Sequence, residues 1–459
     1  MSFGEKILKY RDSMEESLAK MVAIPSVCSP ASPGLPFGAE SARALDAILG
    51  IAAGMGLATR NIGHYAGHAE YGTGSEIAAV VTHVDVVPAG DGWNTDPFRL
   101  TRKGNLLFGR GTADDKGAAV VSLYCLKALQ DENVSTKRRI RAIFGAGEEI
   151  ASNDLGMYFK KEPMPSMAFT PDSDYGICNR EKGILRLNFK SGAPDSVIRE
   201  FQAGNVLNAV PDSAEAVLRC GTKRVTDIEN AAKKAGSAFE VRRTRDGAEV
   251  FAKGKASHAM QPQKGINAAA VLLKLLAEIF TREEMGGFFY FLNRFIGTQT
   301  DGASLGVKQE DAQSGPLTLN LGVVRADAEG TSAGIDIRYP VTSDGKKIFE
   351  TIRACAERSG LKVELLQDTK PLYLPEKSPL ISLLRDSYQA VTGKPAGLYA
   401  TGGGTYARAM AGKAVAFGPF FPDEPDRRLH NTNENIDTAK FLIHAQICLE
   451  AVYRMATAE

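Results

Sequence analysis

The chain has 459 residues, of which 44% are hydrophobic and 24% charged, and its formal net charge at pH 7 is +1. That length exceeds one ordinary core, so two or more domains are expected. The near-neutral charge offers nothing to nucleic acid or an anionic membrane surface, and no apolar run approaches the roughly 20 residues that span a bilayer.

In chain order, residues 6–22 are amphipathic and read as a helix instead of a signal-peptide core, and 39–55 read as a second helix. His64 and His68 lie in a Gly/Ala/Tyr-rich segment; Gly63 and Gly67 argue against a helix, so surface or turn histidines are expected. Residues 77–87 form an apolar strand ending in Thr82-His83-Val84-Asp85-Val86-Val87-Pro88. A strand repeats every two residues, so His83 and Asp85 share a face, and an imidazole beside a carboxylate makes half of a zinc site. Trp93 reads as packing near that site. Residues 116–129 form a helix opened by the Gly-rich turn Gly109-Arg110-Gly111-Thr112-Ala113-Asp114-Asp115-Lys116-Gly117, and 139–145 form a strand running into Gly147-Glu148-Glu149. This alternation predicts an α/β layer with a mostly parallel sheet. From about 183 to 375 short strands (184–189, 214–219, 249–253, 317–324, 334–339) mix with helices (266–280, 348–359), the pattern of an α+β domain. The first texture then returns, with a helix over 380–392, a Gly turn at 402–404, a strand over 414–417 and a helix over 438–455 that includes a structural His444. The expected fold is therefore an α/β catalytic domain (1–183 and 376–459) with a mostly parallel central sheet, interrupted by an inserted α+β lid over 184–375. The six cysteines are widely spaced with no CxxC pair and read as reduced, mostly buried thiols in a cytoplasmic protein.

Singly, each acidic or histidine motif has an ordinary alternative. An aspartate at a helix start is commonly a cap, and a Glu-Glu pair is commonly a solvated surface. The ordered set HVDVVP, GRGTADDKG, GEE, PDSD, ASHAMQP and HNTNE is far more specific. It resembles the co-catalytic dizinc peptidase family of carnosinase, aminoacylase, glutamate carboxypeptidase, succinyl-diaminopimelate desuccinylase and the PepV-type dipeptidases, over nearly the whole chain.

The resemblance implies that His83 and Asp172 bind one metal, that Glu149 and His430 bind the other, and that Asp114 bridges both, joined to Asp115 by a cis peptide. It makes Asp85 the carboxylate that orients His83, not a ligand, which corrects the reading from strand geometry alone. It makes Glu148 the general base, with two divalent ions as cofactors, zinc by expectation and manganese or cobalt as alternatives. In the inserted domain it implies that His258 stabilises the oxyanion, that Asn208 contacts substrate, and that Arg338, with Gly403 and Gly404, grips a carboxylate; the plain alternative for Arg338 is a strand-end surface charge. The double-sized insert, about 190 residues, is similar to the PepV-type branch. Its expected form is two pseudo-related lobes in a monomer, with a homodimer as the alternative. The substrate implied is a dipeptide, with an N-acyl amino acid deacylase or desuccinylase as the runner-up, and with no nucleic-acid or membrane partner. A non-catalytic binding protein would have lost Glu148 or a ligand, and none is lost. One departure stands out: Gly147 occupies a position where many relatives carry an acid.

Overall fold

The computed structural model describes residues 2–410 and 412–459. The chain divides into two compact units, one of residues 1–179, 373–399 and 404–459, the other of 180–372 and 400–403.

Among the described residues, the first unit is built on a nine-stranded sheet. Its centre is four parallel strands in the order Arg139–Gly145, Ile77–His83, Met167–Thr170 and Ala414–Ala416. Ile77–His83 is buried along its whole length, as expected of a parallel strand covered on both faces. The flanks are antiparallel: the hairpin of Ala58–Ile62 and Ala66–Tyr71 adds to Arg139–Gly145, and Ile177–Glu181 adds to Ala414–Ala416. The expectation of a mostly parallel sheet therefore describes the middle of it. Lys116–Asp131 packs a nearly all-apolar surface, AAVVSLYCL, into the same core as Thr438–Thr457. The latter helix is capped by Asp437, whose Oδ1 accepts the N–H groups of Ala439 and Lys440 at 2.8 and 3.0 Å. The amphipathic start is a 3₁₀ segment, Phe3–Tyr10, followed by the α-helix Arg11–Val22.

The second unit is an eight-stranded sheet, antiparallel throughout, with its own core. One half comprises Phe239–Arg243, Gly247–Lys253, Ser213–Arg219 and Ile198–Ala203; the other comprises Thr318–Ala326, Thr331–Tyr339, Gly183–Ser191 and Lys362–Thr369. The halves join along Ile198–Ala203 and Thr318–Ala326. The helices Thr222–Ala235, Ala268–Ala277 and Gly345–Glu357 bury their apolar residues in this core. Gly183 faces Tyr339 across two strands, and a Cβ there would lie 2.0 Å from the Tyr339 ring, so only glycine fits. No helix among the described residues is long and apolar enough to cross a membrane, and no disulfide joins the cysteines.

Candidate active site

Three neighbouring parallel strands deliver acidic or histidine side chains at their carboxyl ends, the edge where open α/β sheets place their sites. His83 ends its strand opposite Gly145, which leads into Glu148 and Glu149, and Thr170 leads into Asp172. Asp114 comes from the turn before Lys116–Asp131, and its bond to Asp115 is cis. His430 comes from an irregular segment in which Arg428, His430 and Asn433 adopt left-handed conformations (φ 57°, 58° and 63°). These are uncommon for residues other than glycine and need enforcement by their surroundings.

The side chains meet. Asp114 Oδ1 lies 3.0 Å from His83 Nε2, and Oδ2 lies 3.1 Å from His430 Nε2. His430 Nε2 is also 3.1 Å from Glu149 Oε2. Donor atoms of His83, Asp114 and Glu149 fall within 4.8 Å of one another, and so do those of His83, Glu148 and Asp172. Glu148, read from sequence as the base, is thus within ligand reach as well.

Asp85 does more than orient His83. The nearer partner of His83 Nδ1 is the Asp85 carbonyl oxygen at 3.0 Å; the carboxylate is 3.4 Å away. That carboxylate accepts the backbone N–H of Glu148 on Oδ1 and of Glu149 on Oδ2, each at 3.1 Å. It fixes the glutamate pair. Asp154, to which sequence reasoning gave no role, accepts the N–H groups of Ala146 and Gly147 at 3.1 Å and a hydrogen bond from the Tyr406 hydroxyl. Asp115 Oδ2 accepts the His83 N–H at 3.3 Å.

The charge balance explains what such a cluster wants. Burial alone would raise the Asp114 carboxyl, but hydrogen bonds with His430 and His83 hold it below the usual range. Hydrogen bonds with Asp114 and Glu149 push the His430 imidazole up to about 10. Desolvation, reinforced by Glu149, Asp114 and Asp85, pushes the Glu148 carboxyl up to about 8, and desolvation with Asp114 and Glu148 raises Asp172. Two imidazoles cannot offset so many adjacent carboxylates. Glu149 Oε1 is, moreover, buried without a hydrogen-bond partner among the described residues. Carboxylate oxygens and imidazole nitrogens are the donors that divalent ions take, and this set fits them.

The other candidate residues each have their own surroundings. In the second unit, Ala209 and His258 form an isolated bridge, and Ala259 N donates to Asn208 O at 2.8 Å, so the Asn208 and His258 loops lie together. Met260 N donates to His258 Nδ1 at 3.1 Å, which leaves the neutral ring its proton on Nε2. Arg338 is not a surface charge. It is buried, pairs with Asp336 at 2.6 and 3.0 Å, and donates to Gly402 O at 2.7 Å. Gly403 N donates to Thr401 Oγ1 at 3.1 Å, while Gly404 belongs to the first unit, where a Cβ would stand 2.9 Å from Arg408 Nε. Trp93 packs in the first unit, with the Arg110 guanidinium over its ring. His444 is buried in its helix and bonded to the Tyr175 hydroxyl at 2.9 Å. His64 lies in the turn expected, bonded to Asp46 and Gly34. His68 does not: it is buried within Ala66–Tyr71, 2.8 Å from the Tyr158 hydroxyl. The glycines that argued correctly against a helix belong to a β-hairpin, and Gly67 gives it a close approach to Leu45 and Leu49.

Comparison with known proteins identifies the family and the fold. Residues 79–454 match the model of peptidase family M20/M25/M40. The chain is 34% identical over 468 residues to the protein named "Putative dipeptidase YtjP" of Bacillus subtilis, covering 99% of this chain and 100% of that one. It is likewise 34% identical over 467 residues to a "Putative dipeptidase" of Staphylococcus epidermidis, covering 98% of each. Among solved structures, the fold is similar to human carnosine dipeptidase 1 (TM-score 0.58, 14% identity, 99% of this chain and 98% of that one). It is also similar to aminoacylhistidine dipeptidase of Vibrio alginolyticus (TM-score 0.58, 15% identity, 97% of each). The chain therefore belongs to peptidase family M20/M25/M40, and is a hydrolase acting on peptide bonds with divalent metal ions as its implied cofactors.

Proposed function

We propose that this chain is a dipeptidase, hydrolysing the peptide bond of short peptides that carry a free C-terminal carboxylate. The observation that carries the reading is the Asp114 carboxylate, which turns one oxygen to His83 and the other to His430. A carboxylate so placed can serve two cations. His83 and Asp172 would hold one, and Glu149 and His430 the other, with zinc the expected ion and manganese or cobalt the alternatives. Such ions, when bound, polarise the scissile carbonyl and acidify the attacking water.

Glu148 takes the proton of the attacking water and delivers it to the leaving amine, while Asp85 fixes the backbone from which Glu148 projects. His258, with its proton on Nε2, donates to the developing oxyanion. Asn208 contacts the substrate. Asp336 and Gly402 engage three of the five Arg338 N–H groups, and the remaining two form the fork for the substrate carboxylate, for which Gly403 and Gly404 are also proposed as binding positions. The two four-stranded halves of the second unit act as the two lobes, so that a single chain suffices. The names of the relatives support the dipeptide as substrate class. The test combines elemental analysis of metal-replete protein with assays against dipeptides and N-acetyl amino acids. Two equivalents of metal and dipeptide cleavage are expected. Cleavage confined to the acylated set would overturn the substrate, and protein that takes up no metal would overturn the centre.

A further inference from the structure

Arg110 and Glu434 form a buried ion pair beside the cluster, and the mechanism above gives neither a role. Each side chain is 1% exposed, and Arg110 Nη1 donates to Glu434 Oε2 at 2.7 Å. Withdrawing two charges from water is unfavourable unless the rest of their hydrogen-bonding capacity is met. Here the backbone meets most of it, leaving Arg110 Nε as the buried donor without a partner among the described residues. Glu434 accepts the Gly111 N–H at 3.0 Å from both oxygens, and on Oε1 it accepts those of Ala113 at 2.9 Å and Asp114 at 3.1 Å. Arg110 Nη2 donates to the carbonyls of Pro88 and Ala89 at 3.2 Å and of Asn431 at 3.1 Å.

These partners fall on three irregular pieces of chain, and each adjoins a residue of the cluster. Residues 88 and 89 follow His83, 111–114 include Asp114, and 431–434 follow His430. The ladder of Leu106–Phe108 with Asn435–Asp437 stops just short of two of these pieces and does not include residues 88 and 89; the ion pair ties all three. We propose that Arg110 and Glu434 are positioning residues that hold the His83, Asp114 and His430 segments in ligating register before a metal ion arrives. Without them, crowded carboxylates would let the segments spread, and ion binding would have to supply the ordering. Trp93, the sole tryptophan, sits on the same device: its Nε1 donates to the Ala89 carbonyl at 2.8 Å, and its ring centre is 5.4 Å from the Arg110 guanidinium. Its fluorescence therefore reports on the pair.

The inference rests on the metal-centre reading above, and the experiment separates the two. Metal-stripped full-length protein is titrated with Zn²⁺ alone, by calorimetry and by Trp93 emission, for wild type, Arg110→Lys and Glu434→Gln. Arg110→Lys keeps the charge but loses the fork to three carbonyls; Glu434→Gln keeps the shape but turns an amide nitrogen towards N–H donors. Circular dichroism and thermal unfolding establish the folded fraction. Both variants are expected to fold with a Zn²⁺ dissociation constant raised about 10–100-fold, the range seen when groups supporting metal ligands are removed. Arg110→Lys should also blunt the Zn²⁺-dependent change in Trp93 emission. Folded variants that bind Zn²⁺ as tightly as wild type, with only their melting temperature lowered, would reduce the pair to a structural strut and overturn the proposal. Variants that never fold would overturn it too, as a folding requirement. Wild type that binds no Zn²⁺ would remove the metal centre itself.

Discussion

Two buried carboxylates here accept backbone N–H groups: Asp85 from Glu148 and Glu149, Asp154 from Ala146 and Gly147. The proposed ligands come from the resemblance of the ordered motifs to a known family, since each motif alone has an ordinary alternative. Asp154 is not legible in sequence, because a carboxylate that braces a loop has no periodic signature. Gly147 shows the same limit. A Cβ there would lie 2.6 Å from Ser152 Oγ and 3.0 Å from the Phe37 ring, so neighbouring packing, invisible in sequence, leaves no room for an acidic side chain. Gly147→Asp should therefore destabilise the protein by about 1–3 kcal/mol, the usual cost of overpacking. Urea unfolding checks this, and Phe37→Ala in the same chain should recover part of the loss; an unchanged midpoint in the single variant would refute the packing argument. For Glu148, replacement by glutamine should cut the hydrolysis rate about 10²–10⁴-fold, as removal of a general base does. Elemental analysis should find metal content unchanged, and a variant that keeps its rate would exclude Glu148 as the base.

At the scale of elements, the apolar runs of Ile77–His83 and Arg139–Gly145 announce buried parallel strands. The flanking hairpin is cryptic because its inward positions are Ala66, Gly67, His68 and Ala69, small or polar residues with little hydrophobic signal. His68 gives that strand a pH dependence. Desolvation, with Arg141 nearby, lowers its imidazole to about 4 from an ordinary 6.5, and the Tyr158 hydroxyl donates to the neutral ring. Between those values the unfolded chain binds the extra proton, so stability present above pH 6.5 is lost as pH falls towards 4. The gap is worth about 3 kcal/mol at the acid end. Buried His444, lowered to about 3 by desolvation, acts in the same direction. His68→Gln, whose amide oxygen can still accept from Tyr158, should flatten the decline of unfolding free energy between pH 6.5 and 4.5. An equally steep decline in the variant would assign the acid lability elsewhere.

At the scale of the molecule, the first unit is closed by segments from the two ends of the sequence. Ile7, Met14 and Leu18 share a core with Leu449, Val452 and Met455, and Gly4 N donates to Glu450 Oε2 at 3.0 Å. The α/β texture returns late in the sequence, whereas the chain crossings at 399/400 and 403/404, set by the course of a short turn, leave no mark in composition. Each unit has its own hydrophobic core, and every proposed ligand belongs to the first. An ion that binds only the folded first unit stabilises it alone, by about 2.7 kcal/mol at a concentration 100 times its dissociation constant. For units of this size, each kcal/mol moves the melting temperature by about 2–4 °C. Scanning calorimetry of the full chain should therefore resolve two transitions, or one whose calorimetric enthalpy exceeds its van't Hoff enthalpy. Chelation of metal should move only the component carried by the first unit several degrees down. A single two-state transition that shifts as a whole would show that the two cores unfold as one, and the assignment of metal stabilisation to the first unit alone would fail.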